Sequence, residues 1–265
     1  MNKYIIFIPF GYTYLSRIKS IPKFISFILT IPIPCFLLFY YGLLSDEQRN
    51  LSTGLCFFLG YITLYIFYEN GYIENDIKTV KKEENPTLRI VGDLYNYIDA
   101  NYYKIIFFRI GLFALSVFFM SFFATYDVVL KVVLFSIITS VIYYLHNNVR
   151  SAAKVLTFFL LSTSRFIFPL LVFSSSIDSD KRIYVSLSIL IYTVPALLIY
   201  SAKSFEMTRF VIGYENKYKI IYYFFMFVAF FVSYFCMPHI NVFLIMAFIL
   251  FYMLLLISLK KVLNK

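Results

Sequence analysis

The chain has 265 residues, of which 61% are hydrophobic and 14% charged, and a formal net charge of +10. Soluble domains carry about 25% charged residues, so a core surrounded by water is excluded and the chain belongs in a lipid bilayer. The positive balance follows the placement of Lys and Arg in loops and does not call for nucleic acid.

Residues 1–22 open on an apolar run, Met1 to Phe10, followed by Arg17 and Lys19 instead of a small-residue cleavage site. They read as an interfacial, Tyr- and Phe-rich segment lying on the membrane, or else as a frayed tail. A span needs about 20 apolar residues to cross ~30 Å of hydrocarbon. Stretches of that kind fall at 23–43, 50–68, 104–124, 128–146, 155–176, 182–200, 218–236 and 240–258. Pro32, Pro34, Pro169 and Pro195 lie inside them and are expected to kink the helices, which a bundle tolerates. Cys35, Cys56 and Cys236 sit in apolar runs with no Cys-x-x-Cys spacing, so neither zinc nor a disulfide framework is indicated.

The expected fold is an all-α polytopic membrane protein, one integral-membrane domain of about eight transmembrane helices in two four-helix halves, 23–146 and 155–258. Sorted by loop, eighteen Lys and Arg fall on one side and four on the other, while Arg109 and Arg165 lie within spans. The positive-inside rule then makes both termini and the even-numbered loops cytoplasmic, in a bacterial inner or plasma membrane. Loops 69–103 and 201–217 hold equivalent places in the two halves, and a site between them would open to the cytoplasm.

Loop 69–103 is the dense block of charge. Glu69, Glu74, Asp76, Glu83, Glu84, Asp93 and Asp99 are seven of the fourteen acidic residues, interleaved with Lys78, Lys81, Lys82 and Arg89. Such a mixture suits a divalent metal and a phosphorylated substrate held together, since magnesium takes one or two carboxylates and fills its octahedron with water and phosphate. Glu69, Asp76 and Glu83 are seven apart, and on one continuous helix would stand about 10 Å from one another. Either the helix ends after Asp76 and Glu83 folds back, or two ions are held; Pro86 disfavours helix at Asn85. A solvated, mixed-charge loop is the alternative.

Asn75-Asp76, Glu83 and Asn85-Pro86-Thr87-Leu88-Arg89 together resemble the first signature of the UbiA-type intramembrane prenyltransferases, Asn-Asp-x-x-Asp-x-x-x-Asp. Thr79 stands at the middle Asp position and Glu83 at the last, and the Pro/Thr/Arg tail is similar to that of the phosphoribosyl-transferring branch. The resemblance implies Mg2+ held by Asp76, Asn75, Glu83, Glu69 and, from the sixth loop, Glu206. It implies phosphate contacts from Lys81, Lys82, Arg89, Arg150, Lys154 and Arg209. The implied partners are a polyprenyl phosphate or diphosphate lipid in the bilayer and a soluble diphosphate donor or small acceptor.

Three further residues are singled out. Arg165 lies ten residues into the fifth span, where a lipid-facing charge costs at least ~2.5 kcal/mol, so it must meet a phosphate, an acidic side chain or the neighbouring Ser and Thr. His146, at the cytoplasmic end of the fourth span, is either a base toward an acceptor or a helix-end donor. Asn147 beside it is suited to orienting a phosphate or carbonyl. The competing class is a transporter, flippase or assembly subunit for lipid-linked saccharides. Clustering of carboxylates on one face favours the enzyme.

Overall fold

The computed structural model describes residues 3–82, 88–149, 151–173, 179–202, 204–236 and 241–263. All regular structure among them is helical, with no strand. We label the helices α1 (Ile21–Leu43), α2 (Leu51–Lys82), α3 (Asp93–Ala100), α4 (Tyr102–Met120), α5 (Tyr126–Asn148) and α6 (Lys154–Phe173). They continue with α7 (Tyr184–Ser201 in its apolar part), α8 (Glu215–Cys236) and α9 (Asn241–Leu263). Among the described residues seven helices are long and apolar enough to cross a membrane, all of these but α3 and α9. The chain is an all-α multi-pass membrane protein. The eighth expected span coincides with α9, whose described apolar stretch is Phe243–Leu259.

Two compact units form, Met1–Ile25 with Leu55–Arg150, and Ser26–Gly54 with Ser151–Lys265. They differ from the two sequence halves because most of the first long helix joins the C-terminal unit.

In the C-terminal unit the Cys35 thiol reaches the Phe166 carbonyl at 3.6 Å and the Phe166 ring stacks on Tyr192 at 4.1 Å. Phe158 stacks on Tyr200 at 4.0 Å, and α8 packs along α9 through Phe227 and Phe251. Pro32 and Pro195 lie at interruptions, as expected of a residue without an N–H, while Pro169 lies inside the continuous helix α6. Ile31 breaks the helical backbone just before Pro32, and Pro195 opens the segment Val194–Ser201 after a π-helical turn, Ile189–Thr193.

In the N-terminal unit α2 runs as regular helix over Leu51–Glu74, then widens into a π-helical turn, Asn75–Thr79, and tightens over Val80–Lys82. Gly71 lets the Tyr143 ring of α5 lie against the α2 backbone; a Cβ there would sit 2.1 Å from Tyr143 Cγ. Ile6, Tyr12, Leu15, Ile73, Ile77, Ile90, Ile98 and Ile105 form the core, drawn from the first residues, α2, α3 and α4.

That core corrects the expectation for residues 1–22. Ile6 and Tyr12 are fully buried, and the segment folds into the unit as a short 3-10 turn (Lys3–Phe7), a helical turn (Gly11–Thr13) and a π-helical turn (Tyr14–Ile18). Apolar, Tyr- and Phe-rich composition suggests an interfacial element; buried polar partners on α2 and α4 hold an irregular one in the unit instead.

Candidate functional site

Phe57, Tyr61, Tyr65, Tyr68, Tyr72 and Asp76 follow one another on α2 at steps of three and four, which places them on one helical face. Their rings touch in sequence. Tyr61 stacks on Tyr65 at 6.2 Å, Tyr65 on Tyr68 at 5.5 Å, and Tyr68 meets Tyr72 edge-on at 5.3 Å. The stripe ends on Asp76, in the π-helical turn.

Asp76 is buried and surrounded by donors. Tyr12 Oη donates to Oδ2 at 2.8 Å, Arg17 Nη1 to Oδ2 at 2.8 Å and Arg17 Nη2 to Oδ1 at 3.4 Å. Arg89 Nη1 donates to Oδ1 at 3.0 Å and Asn75 Nδ2 to the same oxygen at 3.2 Å. The Arg17 guanidinium lies 3.5 Å from the centre of the Tyr72 ring, a cation–π contact that fixes its plane. Burial pushes the Tyr12 phenol well above its ordinary range, so it keeps the proton it offers Asp76. Arg17 and Asp76 both sit in π-helical turns, where the wider ring re-aims a side chain. Lys19, at positive φ, ends the first of these turns and donates to the Arg89 carbonyl at 3.0 Å.

About two turns back along α2, Glu69 and Arg109 form a wholly buried ion pair at 2.7 Å. Glu69 also accepts the backbone N–H of Phe10 at 2.8 Å and of Thr13 at 2.6 Å. Arg109 donates to Asn70 Oδ1 at 2.7 Å, to the carbonyls of Ile6 at 2.9 Å and Ile8 at 3.2 Å, and to that of Ile66 at 3.4 Å. The pair thus satisfies backbone groups that the irregular segment 3–18 leaves open, and every one matters where no water competes. Phe10, held at φ 65°, stacks on Tyr65 at 4.4 Å.

The remaining basic residues are less tightly held. Lys81 donates to Asp99 at 2.7 Å and Lys78 approaches the same carboxylate at 3.5 Å, while Lys82 is exposed. The hydrogen bond from Lys81 holds Asp99 below the usual carboxylate range. Asn147 is buried and donates to the Gly71 carbonyl at 3.4 Å, and His146 is half-buried at the end of α5.

Glu206 and Arg209, expected to complete the site, form an exposed pair at 3.4 Å on the 3-10 turn Glu206–Val211 of the C-terminal unit. Arg165, in the same unit, is half-buried with its guanidinium 5.2 Å from the Phe27 ring centre, and Lys154 opens α6 half-buried. Glu83 and Arg150 lie outside the described residues.

The structure thus brings Asn75, Asp76 and Arg89 together and adds Tyr12, Arg17 and Tyr72, which sequence reasoning missed. Glu69 stands apart, engaged with Arg109. The described carboxylates do not fit a magnesium site: the oxygens of Asp76 and Glu69 already accept N–H and O–H donors, and cations flank both. Among the described residues no group of three or more His, Cys, Asp or Glu side chains gathers. The charge balance at Asp76, two guanidiniums to one carboxylate, suits an anion instead.

The class these features define is a multi-pass helical membrane protein with a buried carboxylate–guanidinium–tyrosine centre at one end of a long aromatic helix. No family model, no curated protein and no solved structure matches the chain.

Proposed function

We propose that the protein is a UbiA-type transferase acting on a polyprenyl phosphate or diphosphate at the cytoplasmic face of the membrane. The group transferred is a phosphoribosyl or other sugar phosphate passed to polyprenyl phosphate, or a prenyl group passed to a small acceptor. The observation that carries the reading is Arg89 Nη1 on Asp76 Oδ1 at 3.0 Å. Two charged residues of the signature-like stretch, thirteen apart in sequence, meet at the end of the buried aromatic stripe of α2.

Arg17 and Arg89 would neutralise a departing or bound diphosphate, with bidentate donors matched to its oxygens. Tyr72 orients Arg17, and Tyr12 holds the Asp76 carboxylate between the two. Magnesium enters only through the resemblance, and no step is assigned to it here.

A carrier or assembly subunit for lipid-linked saccharides is the second reading, favoured by the complete use of both carboxylates within the protein. The deciding experiment incubates purified protein with labelled polyprenyl phosphate or diphosphate and candidate partners, with magnesium or with chelator. Turnover by the parent, lost on Arg89→Ala, supports the transferase. Binding without turnover in every combination sinks it and leaves the carrier. Turnover that survives chelation would remove magnesium from the proposal.

A further inference from the structure

Asp76 and Arg17 pose a question that the transferase reading alone does not answer. A carboxylate that accepts from two guanidiniums, a tyrosine hydroxyl and an amide is a poor ligand for anything else, yet it resembles a phosphate in charge and in paired acceptor oxygens. Its two guanidiniums come from the two separate pieces of chain that make up the unit. Arg17 is stacked on Tyr72 at 3.5 Å, and its side chain is 18% exposed. That of Arg89 is 39% exposed, so the cluster opens to solvent on that side. Among the described residues, Arg89 Nε and Nη2 have no hydrogen-bond partner.

We infer that Arg17 and Arg89 are the two prongs of a site for a phosphate or diphosphate group, and that Asp76 is its built-in counterion, which an entering anion displaces from the prongs. Arg17 therefore belongs to the binding machinery, and segment 3–18 is its mount. Glu69 and Arg109 are positioning residues, because they bond the backbone on both sides of the turn that carries Tyr12 and, one turn on, Arg17. The inference rests on the proposal that the ligand carries a phosphate, and it reverses the role that the resemblance gives Asp76. A metal-ligating carboxylate helps an anion bind, whereas a counterion competes with it.

The opposition in sign makes the test direct. Binding of inorganic pyrophosphate to the full chain is measured in detergent with chelator present, and a parallel arm uses an isoprenyl diphosphate in the same micelles. Asp76→Asn keeps the size and removes the like charge, which should tighten pyrophosphate binding about tenfold or more. Arg17→Gln should weaken it by a similar factor, with partial recovery in Arg17→Lys. The same ordering seen only with the isoprenyl diphosphate supports the site and identifies the lipid headgroup as its source. Weaker or unchanged binding in folded Asp76→Asn overturns the inference, as does no binding by the parent in either arm. Should Arg17→Gln fail to fold, Asp76→Asn decides alone. The transferase reading is scored separately by turnover: the expected ordering without turnover leaves the anion site standing and the enzyme fallen, and turnover with weaker binding by Asp76→Asn does the reverse.

Discussion

Arg109 shows how one residue in a membrane segment sets its surroundings. An arginine near the middle of a span costs at least ~2.5 kcal/mol if it faces lipid, and here five bonds to protein acceptors, one of them a buried carboxylate, remove that cost. The rule that singles out Arg165 in the sequence applies equally to Arg109. What the sequence lacks is the partner, forty residues away on another helix. Breaking a buried pair by removing one member strands the other charge and costs about 3–5 kcal/mol. Glu69→Gln and Arg109→Gln should each lower the thermal unfolding midpoint in detergent, and the double variant by less than the sum, since the two share one interaction. Additive losses would mean that the pair is not coupled. Gly71→Ala should also destabilise, by about 1–3 kcal/mol as overpacking does, because the Tyr143 ring would have to leave α2.

At the scale of elements, the long helices were legible because an uninterrupted apolar run of span length has one solution in lipid. Segment 3–18 was not. Its 3-10, helical and π-helical turns share no single period, so composition alone, apolar and rich in Tyr and Phe, gives only an interfacial segment or a frayed tail. Helix α3 was missed for a related reason, being eight residues long with Asp93 and Asp99 in a charged loop. Within the site, Asn75, Asp76 and Arg89 were legible from local order, while Tyr12 and Arg17 were not, because only the fold of the first residues brings them across. The mount has its own observable. The Phe10 and Thr13 amides are bonded to a buried carboxylate, so they should exchange with deuterium as slowly as helical amides, although neither bond belongs to a helix ladder. Glu69→Gln should speed exchange in a peptide spanning residues 5–18 and leave the α5 amides unchanged. Equal acceleration in both would point to global loosening and against a local mount.

For the whole molecule, the transferase proposal turns on which side of the membrane Asp76 faces. From Leu55, the start of the N-terminal unit's part of α2, a rise of 1.5 Å per residue puts Asp76 about 32 Å along the axis, a full hydrocarbon thickness of ~30 Å. With Leu55 near one interface, Asp76 reaches the opposite one, at the depth of lipid phosphates. Eighteen Lys and Arg against four are the basis for proposing that end as the cytoplasmic one. Helix α5, of 23 residues, rises about 34 Å and returns to the same side at Asn148. The prediction is read by labelling single cysteines with an impermeant maleimide in a background where the exposed native thiol is removed, Cys236→Ser. Thr125→Cys, between α4 and α5, should react in intact cells. Lys82→Cys and Asn148→Cys should react only after permeabilisation. The reverse pattern would turn the guanidinium cluster away from the cytoplasm and from any soluble diphosphate donor made there, and the proposed transfer would lose its second substrate whatever the protein binds.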